Sequence, residues 1–289
     1  MPLGTTYYFI LFVSTQTGLV LAKYSTFVRT QTQALHHPLM NQINQCFTPF
    51  KTDIRTSLIP AQLNDPFGAT IPEICKIAAL DLQEFLNTNQ ENWRHDFGHN
   101  DQSEDYKKGK MFGVLVVETE DKQLGYLSTF SGKLADEVHH PRFTPSLFDI
   151  NSDDNYLGKG MLELSKKGDQ IAATTDKAEI ARLKKERKNY SINLQQWLFE
   201  QYDFLNHEGK TKSLIDIFQD YIGKPPPSAA GECAAPKLFQ YAFKHQMKPL
   251  AIAEFWWGKS SKSQERKHLN FYPSCQKRCK PILSYMLDS

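Results

Sequence analysis

Three cysteines crowd the last 57 residues of a 289-residue chain: Cys233, Cys275 and Cys279. The first follows Glu232 in Gly231-Glu-Cys-Ala-Ala-Pro-Lys-Leu238, which reads as the start of a helix. The other two lie four apart in Phe271-Tyr-Pro-Ser-Cys-Gln-Lys-Arg-Cys-Lys-Pro-Ile-Leu283, where one helical turn brings both thiols to one point. Three thiolates suit a tetrahedral zinc ion and leave a fourth position for His268 or a water. A fourth protein ligand would make the zinc a structural knot, whereas a water beside a carboxylate would make it hydrolytic. Glu232 and Glu254 are the candidate carboxylates for moving protons there. The remaining alternative is three ordinary buried thiols. Cys46 and Cys75 read as buried or partly buried, and five cysteines in a chain this long make no disulfide framework.

The elements that must position these residues read as an α+β protein. Hydrophobic residues make up 40% of the chain and charged residues 23%, which suits packed cores and excludes a coiled-coil rod, collagen or wholesale disorder. No apolar run reaches the roughly 18–20 residues of a membrane-spanning helix. The best, Tyr7 to Ala22, is broken by Ser14-Thr15-Gln16-Thr17, and no Lys precedes Lys23, so a secretory signal is not expected either. The expected location is the cytoplasm, with no membrane partner.

Four stretches follow from the punctuation. Residues 1–45 read as an N-terminal extension with a β-rich run at Tyr7 to Val13. Residues 46–157 read as a mixed β-hairpin/helix domain. It has a helix from Pro72 to Leu86 and a hairpin of Met111 to Val117 with Leu124 to Phe130, and Asn89 to Lys110 reads as an exposed loop. Residues 158–223 read as a long helical hairpin. One helix runs from Lys177 to Asn206 and closes at Gly209, and a shorter one starts at Thr211. Gly223-Lys-Pro-Pro-Pro227 is a stiff connector to residues 224–289, a small α/β cysteine-cluster unit with a strand at Pro249 to Trp256.

Charge is uneven along the chain. From Lys224 to Ser289 there are 9 Lys and 2 Arg against 3 Glu and 1 Asp, a net +7, while the whole chain carries only +2. Lys259, Lys262, Arg266, Lys267, Lys277 and Arg278 stand beside Trp256, Trp257, Phe271 and Tyr272, offering phosphate contacts and stacking faces together. The same residues read equally as a solvated lysine-rich face over core aromatics.

Two resemblances follow from these residues. A cysteine at a helix start, then a strand, then Pro273-x-Cys275-x3-Cys279 resembles the zinc nucleoside and nucleic-acid deaminases. The chain departs from that pattern in having Ala235 where the family has its Glu, and in spacing the final pair by three residues instead of two. Five longer phrases point elsewhere: Cys46-Phe-Thr-Pro-Phe-Lys-Thr-Asp53, Gly109-Lys-Met-Phe-Gly-Val-Leu-Val-Val117, Leu124-Gly-Tyr-Leu-Ser-Thr-Phe-Ser-Gly-Lys-Leu-Ala-Asp136, Gly231 to Leu238, and Ala253-Glu-Phe-Trp-Trp-Gly258. Together they resemble the amino-terminal region of a bacterial long-form branch of the RluA-type pseudouridine synthases, over about Cys46 to Leu287. In that family an Arg-Leu-Asp motif in a following domain supplies the nucleophile, and no Arg-Leu-Asp occurs in this chain. The resemblance implies an accessory half with no synthase nucleophile, engaging structured RNA (rRNA or tRNA), with any zinc structural. The alternatives are a zinc-dependent hydrolase of deaminase type and a docking protein for a separate synthase domain.

Overall fold

The computed structural model describes residues 46–89, 95–99, 108–134, 140–148, 156–260 and 265–288. The expectations for residues 1–45, Tyr7 to Val13 included, and for Lys262 lie outside these. The described residues belong to one unit, Gln42–Ser289.

The hairpin is the organising element. β2 (Lys110–Glu118) and β3 (Leu124–Phe130) pair antiparallel from Phe112 opposite Phe130 to Glu118 opposite Leu124. Lys122 turns the chain with φ +62° and its ammonium meets Glu118 at 2.9 Å. Six successive residues of β2, Phe112 to Val117, are buried, the pattern of a strand covered on both faces. Such a strand needs a partner on each edge. β1 (Phe47–Pro49) extends the sheet beyond β3, and β6 (Lys248–Trp257) takes the other edge of β2, with the two-residue β7 (Phe271–Tyr272) outside it. The order is β1-β3-β2-β6-β7, every pair antiparallel. The stretches 46–157 and 224–289, expected as separate units, therefore share one sheet.

Helices cover both faces. α1 (Glu73–Thr88) starts after Pro72 and buries Ile74, Cys75, Ala78, Ala79, Leu82 and Leu86 against Phe112, Val114 and Val116. The opposite face, with Leu115 and Val117, packs on α4 (Leu214–Ile222), α5 (Ala234–Lys244) and α6 (Cys279–Leu287). This α+β architecture agrees with the sequence reading.

The helical hairpin is built differently from its expectation. α2 (Tyr156–Ala173) pairs with α3 (Lys177–Glu200), and Gly160 lets them approach, since a Cβ there would lie 2.6 Å from Leu194. α3 stops at Glu200, short of Asn206. Tyr202 and Phe204 turn into the core, and β4 (Asp203–Leu205) pairs with β5 (Thr211–Ser213) around Gly209 at φ +79°. Gly209 thus serves a strand turn, and Ser213 starts α4 by accepting from the Asp216 N–H at 3.1 Å. Gly223, at φ +62°, ends α4 before the prolines. Among the described residues no helix is long and apolar enough to cross a membrane.

β7 covers only Glu254 and Phe255 of β6. Further along the same strand Asn64 replaces a neighbour: its Nδ2 donates to Ile252 O at 3.0 Å and its Oδ1 accepts from Ile252 N at 2.8 Å. Replacing Asn64 with Ala would orphan both backbone groups and lower unfolding stability by about 2 kcal/mol. Urea titration checks this, and a loss under about 0.5 kcal/mol would show that water substitutes freely.

Candidate functional site

The cysteines do meet, and the sheet brings them together. α5 lies close on β2 at Gly113, where a Cβ would stand 3.0 Å from Leu238 and 3.1 Å from Ala234. Cys233 is the residue before α5, extended at φ −76°, and its side chain caps no N–H. The first N–H groups of the helix find other acceptors: Ala234 N donates to Ser131 Oγ at 3.3 Å, and Ala235 N donates to the Glu254 carboxyl. Glu254 sits opposite Gly113 on β6, which explains how a carboxylate from another strand reaches the helix start.

α6 begins where Cys279 N and Lys280 N close on Cys275 O at 3.0 and 3.2 Å. Cys279 is buried, and its thiol lies between Cys233 and Cys275, the two groups that act most strongly on its protonation. Those two contacts, then burial, hold Cys279 protonated far above the usual thiol range. Cys275 is the opposite case. The Cys279 thiol, partly offset by burial, and the N–H groups of Arg278, Lys277 and Cys279 bring it down to about 5. Cys275 is exposed, so the row of thiols has a buried centre, a partly buried end at Cys233 and a solvent-facing thiolate.

Glu254 completes this site. It is 5% exposed, accepts the Ser274 hydroxyl at 2.7 Å, and is pushed up to about 7 by burial, with Ser274 and Ala235 pulling the other way and Cys275 adding to the rise. A cavity of about 10 Å³, lined by Asn64, Ile252, Tyr272 and Ser274 among others, adjoins the carboxyl. That holds one water at most.

The other expected site residues lie elsewhere. His268 accepts from Gly258 N through Nδ1 at 2.9 Å, and its ring packs on Trp257 and His99, so it is occupied away from the thiols. Glu232 accepts a hydrogen bond from Tyr202 OH and faces Lys237, a residue the sequence reading passed over. Trp257 is 1% exposed and belongs to the core. Trp256 is half-buried, its indole N–H shared by Gly258 O and Lys259 O at 3.1 Å each. Lys259, Lys267, Lys277 and Arg278 are exposed, and Arg266 lies 4.2 Å over the Tyr272 ring.

For zinc, the donor set is right in type but not in arrangement. Three thiols stand in a row through Cys279, while among the described residues no group of three or more His, Cys, Asp or Glu is placed to hold a metal ion. No family model, curated protein or solved structure matches the chain.

In chelator-treated protein, alkylation of Cys275 should stay fast down to about pH 6 and fall about tenfold per unit below pH 5. Cys279→Ala should move that inflection up toward the ordinary thiol range. An unchanged inflection in the variant would show that the helix N–H groups alone set it. For Glu254, the folded chain takes its proton near pH 7 and the unfolded chain near 4.5. Between these values the folded state binds more protons, so stability falls as pH rises through the window. Glu254→Gln should therefore gain about 3 kcal/mol on the wild type between pH 5 and pH 8, read from unfolding at each pH.

Proposed function

We propose that this chain is an RNA-facing accessory region of an RluA-type pseudouridine synthase, working in the cytoplasm on structured RNA. The observation that carries this reading is the basic surface around β7. Lys267 precedes that strand, Lys277, Arg278 and Lys280 follow it, and all four are exposed. Arg266, 4.2 Å over the Tyr272 ring, adds a cation–aromatic pair beside them. The aromatic contribution is thus Tyr272 with a share of Trp256, while Trp257 serves the core.

In this reading the thiol row ties the starts of α5 and α6 together, and zinc would join that tie only if the three sulfurs turned from their row toward one point. The small space beside Glu254 favours structure over hydrolysis. A deaminase-type reaction needs a nucleobase-sized opening at the metal, and the space beside Glu254 takes one water. The hydrolase keeps one observation in its favour: Glu254, with its affinity for a proton near pH 7, stands beside the thiols in the role of a proton carrier.

The test is fluorescence anisotropy with a structured RNA across a salt series. Affinity should fall steeply with salt, and replacing Lys277 and Arg278 with Gln should flatten the slope by about 0.7 for each phosphate left without its cation. Binding that is absent, or unaffected by salt, overturns the RNA reading. Separately, Zn²⁺ added to chelator-treated protein should protect Cys275 from alkylation. Failure to protect removes zinc and leaves the RNA reading standing.

A further inference from the structure

Two lysines approach the end of β3 from opposite faces of the sheet, one beside Phe130 and the other beside Gly132. Lys237 comes from α5, one turn beyond Ala234. It is 2% exposed, and its Nζ lies 5.0 Å from the centroid of the Phe130 ring. Lys110 starts β2 and shares the alternation of Phe112 and Val114 on the other face. Its Nζ lies 4.0 Å from where a Cβ on Gly132 would stand, and Gly132 turns the chain at φ +67°.

Among the described residues neither ammonium makes a hydrogen bond or an ion pair. Glu232 is the acid whose charge favours protonated Lys237, but its carboxylate is engaged by Tyr202 OH. Burial lowers both lysines, Lys237 to about 8, and the charge of Lys110 lowers Lys237 further. Lys237 is buried and Lys110 half-buried, and two like charges held in such surroundings without an ion pair are unfavourable. Ser131, next to Gly132, accepts from Ala234 N, which leaves its hydroxyl hydrogen free to donate. The place thus offers two cations and a hydroxyl donor around a tight turn.

We propose that Lys110, Lys237 and the Ser131 hydroxyl bind the dianionic phosphate of a small monoester. Two positive charges match a phosphate dianion better than a single carboxylate. The burial of Lys237 selects a terminal phosphate over the backbone of a polymer, which cannot follow its phosphates into so closed a place. This site is independent of the RNA-binding reading.

Isothermal titration of the full chain with inorganic phosphate and with uridine 5′-monophosphate, against sodium chloride of equal ionic strength, tests the assignment. Both phosphates should bind with a Kd below about 1 mM. Lys237→Met and Lys110→Met should each weaken binding by about tenfold or more. Lys133→Gln, at an exposed position, should leave it unchanged. Without ligand, the melting midpoint of Lys237→Met should equal or exceed that of the wild type, since the variant removes an unpaired buried charge. No binding of phosphate by the wild type overturns the proposal, and so does full affinity in Lys237→Met. A lowered ligand-free midpoint in that variant also overturns it, because Lys237 then has a partner within the chain. An RNA lacking a terminal phosphate provides the last arm: if its affinity falls in Lys237→Met, the commitment to a small monoester is wrong.

Discussion

The pairing of β2 with β6 is the constraint on which the rest of the molecule depends. It joins Lys110–Glu118 to Lys248–Trp257 across about 130 residues of intervening chain. Closing so long a loop costs only slightly more than closing a short one, because the entropy grows with the logarithm of length. The return is a pair of central strands buried on both faces, with one register shift between Val116 and Val117. Gly113 is the pinch point of this arrangement. Its missing side chain admits Ala234 and Leu238 of α5, and its register partner is Glu254. Cys233 at the start of α5 and Glu254 on β6 are therefore carried by elements that converge on one glycine.

The electrostatics follow from that geometry. The first two N–H groups of α5 are taken by Ser131 and Glu254, so Cys233 stands at the helix start without capping it and keeps its sulfur for Cys279. Among the groups crowded there, negative charge settles on Cys275, the exposed one, while the fully enclosed Cys279 and Glu254 keep their protons longer. These are properties of a coupled set, since Cys275 raises Glu254 and Glu254 raises Cys279. One turn further along the same helix the sign reverses, with the buried Lys237, whose protonation the half-buried Lys110 of β2 opposes. α5 thus carries a thiol site at its start and an ammonium site one turn in, on a helix otherwise made mostly of Ala, Leu, Phe and Tyr.

Much of this was readable from residue pattern where the signal was local. The hairpin, the helix after Pro72, the strand before Gly258 and the convergence of the three cysteines rest on alternation, proline punctuation and the four-residue spacing of Cys275 and Cys279. What was not readable depended on pairing at a distance. Nothing in Met111 to Val117 names β6 as its partner, and nothing in Tyr202 to Ser213 separates a short strand pair from a continuing helix until Tyr202 and Phe204 have a core to enter. His268 illustrates the same limit, being near Cys275 in sequence but turned toward Trp257 and His99. Lys237 left one clue, a lysine four residues after Cys233 on a face of small and apolar residues. Its position alone would have placed it inside, and the habit of sending lysines to solvent hid it.

The basic end of the chain has two physical consequences that are easy to confuse. β7 is only two residues long, sits at the edge of the sheet, and is bracketed by Lys267 and Lys277. Short, charge-flanked edges keep sheets from pairing with other chains, and that alone accounts for lysines here. It does not account for Arg266 lying over Tyr272, because a solvated charge that merely repels other strands has no need of a ring beneath it. Nor does it require alternation along β6 to leave Trp256 part-exposed beside the same surface while Trp257 is enclosed. Edge protection explains the number of cations, while the Arg266–Tyr272 pair is the part of this surface that the RNA reading proposed above rests on.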